Sequence, residues 1–182
     1  MLLINKEVLA RDPSALAVFE RAIDGDRAFF ANAYPTFGIW LDKRVFPGIA
    51  TGERTIAIEQ RRGQTAGLLI LKHTKHEKKL CSLRVREFYQ QKGLGIRLFE
   101  TAFSILQTEK PLLSVSDTNI CAFDRIFRYF GFSFGQEYRN LYRDDSSEFS
   151  FNGYLCRTLG TPRRGYLAQL SRTASLVPHS SV

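Results

Sequence analysis

The spacing of apolar and polar residues divides the chain into helical and strand-like segments. After Asp12 and Pro13, the run SALAVFERAI carries Leu16, Phe19 and Ile23 at helical spacing, with Asp12 as a capping residue, and predicts a first helix. The next run, RAFFANAYPTFGIWLDKRVFPG, is aromatic-rich but broken by Pro35, Gly38 and Pro47, which predicts a short helix followed by loops. Residues 55–85 read as three strands, TIAIEQ, TAGLLILKH and LCSLRV, joined by the turns RRGQ and KHEKK into an antiparallel meander. In the third strand a two-residue period puts Cys81, Leu83 and Val85 on one face and Ser82 and Arg84 on the other.

A wide stripe of Leu98, Phe99, Ala102, Ile105 and Leu106 predicts a helix ended by Pro111. LLSVS then reads as a short buried strand, NICAFDRIFRYF as a helix stopped at Gly131, and FGQEYRNLYR with SEFSFNGYL as a closing hairpin across DDSS. The order helix, helix, three antiparallel strands, helix, strand, helix, hairpin implies an α/β (α+β) domain with a mixed, mostly antiparallel sheet covered by helices.

Composition narrows the class. With 182 residues, 44% of them hydrophobic, the chain suits one domain with a modest extension. No apolar run reaches the roughly 20 residues of a membrane span, and the start MLLINKEVLARD has no basic, cleavable leader pattern, so a cytoplasmic protein with no membrane association is expected. Cys81, Cys121 and Cys156 are odd in number and set among apolar neighbours, which predicts buried free thiols in a reducing compartment. Half of the net charge of +8 comes from Arg157, Arg163, Arg164 and Arg172, beyond which the tail has no acidic residue. Residues 1–156 are therefore expected to form the domain and residues 157–182 a basic, irregular tail. The remaining mild positive charge suits a polyphosphate ligand and leaves nucleic acid as a partner possible without favouring it.

The chemistry-bearing feature is RVREFYQQKGLGIRLFETAF, where a strand passes through Gly93 and Gly95 into a helix. Backbone N–H groups from Gln91 to Ile96 then converge at a helix N-terminus, where unpaired amides and the helix dipole favour a phosphate. Gln90-Gln91-Lys92-Gly93-Leu94-Gly95 matches the Q/R-x-x-G-x-G/A signature of the GNAT acyl-CoA N-acyltransferases, and SVSDTNICAFDRIFRYFGF is similar to that family's second recognisable segment. Over approximately residues 12–155 the chain thus resembles a GNAT domain.

That resemblance implies acetyl-CoA as co-substrate and an amine as acceptor. The implied cofactor contacts are Gln90, Gln91, Lys92, Gly93, Leu94, Gly95, Ile96 and Arg97 at the turn, the backbone of Leu83, Arg84 and Val85 along the signature strand, and Asn119 downstream. Direct attack by a neutral amine also needs an oxyanion donor and a proton source for the departing thiolate. The Val85 N–H is the candidate donor. The family's usual acid position, four residues before the Gly-Phe pair, holds Phe127 here. Tyr129 lies about 200° further round the helix and takes the role only if the local register differs. Glu59 and Asp117, at strand ends, are candidate bases or substrate contacts.

Other clusters carry less. His73, His76 and Cys81 sit in and after a Lys-rich turn with no fourth ligand, so no metal is expected. Among the aromatics of 29–40, Tyr34 and Trp40 are candidate walls of an acceptor pocket because each has a polar tip, and Tyr138 and Tyr142 are candidates for the opposite wall. Three functions stay open: acetyl transfer to a small primary amine, transfer to a macromolecular acceptor such as a protein amine or an aminoacyl-tRNA, and CoA or partner binding without turnover. An exposed final strand leaves a homodimer possible.

Overall fold

A computed structural model describes residues 1–155 of the chain. Cys156 and the basic tail expected from residue 157 lie outside the described residues. The meander forms as its alternation predicts, as β2 (Arg54–Arg61), β3 (Gln64–His73) and β4 (Lys78–Val85). The amphipathic segments become α2 (Ala15–Asp24), α6 (Leu94–Leu106) and α7 (Ile120–Tyr129), with β5 (Leu112–Ser116) between the last two. The hairpin is β6 (Phe134–Arg139) and β7 (Ser147–Phe151).

Two regions differ from expectation. The first residues form a short strand, β1 (Leu2–Ile4), and a helix, α1 (Lys6–Arg11), capped by Asn5 Oδ1 accepting from the Val8 N–H at 3.0 Å. The segment expected to be loop after α3 (Arg27–Ala33) is instead helical through α4 (Phe37–Trp40), a widened π-type turn over Leu41–Val45, and α5 (Phe46–Thr51). Pro47 is accommodated just past the widened turn, where the regular i to i−4 ladder is already interrupted, with the Phe46 N–H bonding back to the Leu41 carbonyl. The helical path also buries Phe37, Leu41, Val45 and Ile49 in one row under the sheet.

The seven strands form one sheet in the order β1-β2-β3-β4-β5-β7-β6, in which β4 and β5 are parallel and every other neighbouring pair is antiparallel. The closing strand β7 inserts between β5 and β6, so the edge beyond it is β6 and not the final strand, contrary to the expectation that supported pairing across a dimer. One face packs Ile56, Ile58, Leu68 and Ile70 against Phe19, Ile23, Phe30, Phe37 and Ile49 of the N-terminal helices. The other packs Ala57, Leu69, Leu71, Leu113 and Val115 against Leu98, Phe99, Ala102 and Phe127 of α6 and α7. Among the described residues no helix is long and apolar enough to cross a membrane.

Candidate active site

Two features of β4 open the sheet at its middle. Against β3, Ile70 faces Ser82 and Leu71 faces Leu80, leaving Cys81 as an extra, bulged residue. A bulge bends its strand and ends regular pairing. Against β5, only Lys79↔Leu112 and Leu80↔Leu113 pair, after which the two parallel strands diverge. The bulge also corrects the predicted faces: Cys81 packs with the N-terminal helix cluster, while Leu83 and Val85 pack towards α6 and α7. Arg54 Nη1 donates to Cys81 Sγ at 3.3 Å, so this half-buried thiol is occupied on that side, whereas Cys121, expected to be buried, is exposed in the first turn of α7.

The divergence leaves backbone groups exposed along β4. Arg86 N–H donates to the Ala66 carbonyl at 3.0 Å. Because hydrogen-bonded and non-hydrogen-bonded pairs alternate in an antiparallel ladder, Arg84 turns its amide towards β3, while Leu83 and Val85 turn theirs towards the opening. Leu83 and Val85 thus fit the expected cofactor edge. Arg84 departs from it, since its backbone is spent on β3 and its side chain goes to the face of α2 and α3. The Val85 carbonyl accepts from Gln90 Nε2 at 3.0 Å, which ties the strand end to the turn.

Beyond a short turn at Glu87–Tyr89, Gln91 (φ 57°) and Gly93 (φ 74°) take left-handed conformations and lead into α6. Gly93 occupies the N-cap position, no side chain caps the helix, and a Cβ placed on Gly93 would meet nothing within 4 Å. The amides of Leu94, Gly95 and Ile96 are left for an anion. Leu94 itself is buried among the core residues under α6, and the Gly95 backbone lies against Ile126. Lys92 Nζ folds over the Phe88 ring and donates to the Phe88 carbonyl at 2.7 Å. Beside the turn a groove of about 660 Å³ is lined by Gln60, Arg61, Arg62, Phe88, Lys92 and Arg97 among others, so the surroundings are cationic.

Several expected side chains have other work. Glu59, nearly buried, pairs with Arg61 Nη2 at 2.9 Å and Arg97 Nη2 at 3.9 Å, which holds it as a counter-ion beside the turn. Asp117 accepts from the Thr118 N–H at 2.7 Å and the Ser147 N–H at 2.9 Å, fastening the end of β5 to β7. Asn119, at the N-cap position of α7, donates to Ser116 Oγ at 3.0 Å. Phe127 is buried against Phe99, Phe123, Phe132 and Phe151. The helix keeps a regular register, so Tyr129 faces outward at 67% exposure beside Phe130, and the condition for its acid role is not met. Tyr138 accepts the Leu155 N–H through its phenol oxygen at 2.8 Å, while Trp40 stacks under Arg54. Among the described residues no group of three His, Cys, Asp or Glu residues could hold a metal.

The residue that sequence reasoning missed is Glu148. Phe151 of β7 packs into the α7 core against Phe127, so the two-residue period sends Ser150 and Glu148 to the opposite face, where only 4% of Glu148 is exposed. Its Cα partner is Ser116, at the open end of β5. Tyr34 donates to Glu148 Oε1 at 3.4 Å, and the Tyr142 ring meets Tyr34 edge-on at 5.4 Å. Burial pushes the Glu148 carboxyl up to about 7, with the Asp117 charge adding to the rise and Ser114, Lys79 and Tyr34 opposing it. Burial likewise raises both phenols, reinforced by Glu148, so Tyr34 and Tyr142 stay neutral. The signal was the polar alternation in SEFSF, readable as a polar face but not as a buried one.

A mixed sheet that splays between its central parallel strands, with an uncapped glycine turn at the splay, is the fold of the GNAT N-acetyltransferases, and this chain has it. Among solved structures it is similar to a candidate GNAT-family acetyltransferase from Desulfovibrio desulfuricans, at 17% identity and a TM-score of 0.50 over 60% of this chain and 73% of that one. It is also similar to a candidate streptothricin acetyltransferase from Bacillus anthracis in complex with acetyl coenzyme A, at 19% identity and a TM-score of 0.50 over 59% of this chain and 65% of that one, just under two thirds of its length. No family model matches the sequence, and no curated protein matches it.

Proposed function

We propose that the protein transfers an acetyl group from acetyl-CoA to a primary amine by direct attack within a ternary complex. The observation that carries this reading is the free edge of β4 at Leu83 and Val85 running into the uncapped, cation-flanked turn at Gly93, which suits a pantetheine arm ending in a pyrophosphate. The turn amides lie on the α6 side of the sheet, so the acceptor is assigned the opposite face, between α3, Ser114 and Glu148.

There the amine nitrogen attacks the thioester carbonyl, the C–N bond forms and the C–S bond breaks. Glu148 accepts the proton lost by the amine, and the Val85 N–H donates to the oxygen on which charge develops. A carboxyl raised to about 7 is matched to that task, because half of it is ionised near neutrality and its conjugate acid stays weak. The CoA thiolate takes a proton from solvent, since neither Phe127 nor Tyr129 supplies one. The three amides from Leu94 to Ile96 bind the phosphates, with Lys92 and Arg97 adding charge.

Phe127 in the core favours a second reading, CoA binding without turnover. A macromolecular acceptor remains the other alternative, and the tail that motivated it is outside the described residues. Calorimetric titration with acetyl-CoA, followed by a thiol-release assay over a panel of amines, separates these. Binding with thiol release supports transfer, binding without release supports the second reading, and no binding at millimolar acetyl-CoA removes both.

A further inference from the structure

On the acceptor face, the ends of α3 hold two opposite chemistries. At its C-terminal end Tyr34 contacts Glu148. At its N-terminal end Asp26 sits between two arginines. Arg86 Nε donates to Asp26 Oδ2 at 3.0 Å and Arg86 Nη2 to the Ala22 carbonyl at 2.9 Å, so Arg86 is engaged in joining β4 to the α2–α3 junction. Arg84 is not engaged in the same way. Its Nε stands 3.5 Å from Asp26 Oδ1, is buried, and has no hydrogen-bond partner among the described residues. Its guanidinium lies over the Phe29 ring, Cζ 3.7 Å from the centroid, and its side chain is only 14% exposed.

Two guanidinium groups against one carboxylate leave this pocket with one positive charge in excess. A buried guanidinium nitrogen without a hydrogen bond is costly, and the group that best offsets the cost is a carboxylate, which matches the planar fork. The contact with Phe29 restrains that fork in advance. Position agrees with chemistry. From Lys79↔Leu112, five residues of β4, one of them spent on the bulge at Cys81, bring Arg84 level with Ser116, whose partner across β5 and β7 is Glu148. Arg84 and Glu148 therefore lie on one face, at one level, on either side of the opening.

We propose that Arg84 binds a carboxylate of the acceptor, so that the amine acetylated by this protein belongs to an amino acid or another carboxylate-bearing amine. This rests on the transfer reading above. Arg84 holds the carboxylate at one end of α3, and the amine is presented to Glu148 at the other. The helix from Asp26 to Tyr34 is about 12 Å long at 1.5 Å per residue, so acceptors with several bonds between amine and carboxylate suit the two ends best.

The test compares matched acceptors with the full chain and saturating acetyl-CoA: L-lysine against cadaverine, and glycine, β-alanine and 4-aminobutyrate against the corresponding alkylamines. The expected result is a preference of about tenfold or more in kcat/KM for at least one carboxylate-bearing member over its matched amine, the size expected of a charge-assisted contact. In Arg84→Gln that preference collapses, mainly through KM, and Arg84→Lys restores part of it. Equal rates for both members of every pair in the wild-type protein would overturn the inference while leaving acetyl transfer intact. If CoA binds but no amine is acetylated, the same panel is titrated into the CoA-loaded protein. Amino acids that bind the wild type and not Arg84→Gln uphold the carboxylate site, and binding indifferent to the carboxylate, or none, rejects it.

Discussion

Tyr34 and Glu148, 114 residues apart in the chain, meet through a phenol donating to Glu148 Oε1 at 3.4 Å on the face of the sheet left open by the divergence of β4 and β5. The contact places a buried carboxylate under a neutral hydroxyl, and its titration has consequences for both rate and stability.

For rate, only the ionised form of Glu148 accepts a proton, so kcat/KM expressed per neutral amine is expected to rise with pH and level off above about 7. Glu148→Gln should lower kcat by about a hundredfold, within the usual range for a general base, and abolish that inflection. A pH–rate profile of the two proteins checks it. An inflection retained in Glu148→Gln would assign the base elsewhere.

For stability, the folded carboxyl is raised from 4.5 to about 7, so between these values the native state holds more protons than the unfolded chain. Glu148 therefore costs stability progressively as pH rises from about 4.5 through about 7. Urea midpoints measured across this window should fall with pH more steeply in the wild type than in Glu148→Gln.

The turn and the helix behind it can be separated by two glycines. Gly93 has φ 74° with open space around it, so Gly93→Ala strains the backbone at a cost of about 1–2 kcal/mol and should weaken CoA binding by displacing the amides. Gly67 is different. A Cβ there would stand 2.7 Å from Leu98 Cδ1 and 3.2 Å from the Arg84 carbonyl. Gly67→Ala should destabilise by about 1–3 kcal/mol through lifting α6 from β3, as thermal melting would show.

Glu59 and Tyr129 are expected to be dispensable for the chemical step. Glu59→Gln leaves Arg61 and Arg97 without their counter-ion, so its effect should fall on melting temperature and CoA affinity and not on kcat. Tyr129→Phe should leave kcat within about twofold, because an exposed phenol beyond the core contributes little beyond solvation. Steady-state kinetics on both variants decides, and a hundredfold loss in either would restore it as a catalytic group.

The meander, the glycine turn and α6 were legible because each rests on local patterns: two-residue alternation, a left-handed glycine, an apolar stripe. Three features were not. The helical path over 37–51 runs through Pro47, which reads as a breaker until the widened turn just before it is known. The bulge at Cys81 has no glycine or proline to announce it, only a neighbour's register. Glu148 lies on a strand whose polar face reads as solvated, and its burial depends on Tyr34 arriving from 114 residues away, with Tyr142 of the adjoining hairpin loop packed edge-on against that ring. Arg84 reads in sequence as one residue of a strand, whereas its side chain lies over Phe29 and beside Asp26, contacts that only the fold brings together.

Leu80, Leu83 and Val85 all pack towards α6 and α7, a spacing that a regular strand would satisfy only without the residue bulged between Leu80 and Ser82. A chain shortened by Cys81 alone would keep each later side chain on its present face and let β4 run on alongside β5. Such a protein is expected to keep its core and to lose the opening that the proposed thioester would occupy. The cleft is thus one residue away from being healed over, and a deletion at that codon would be silent in the core and decisive at the site.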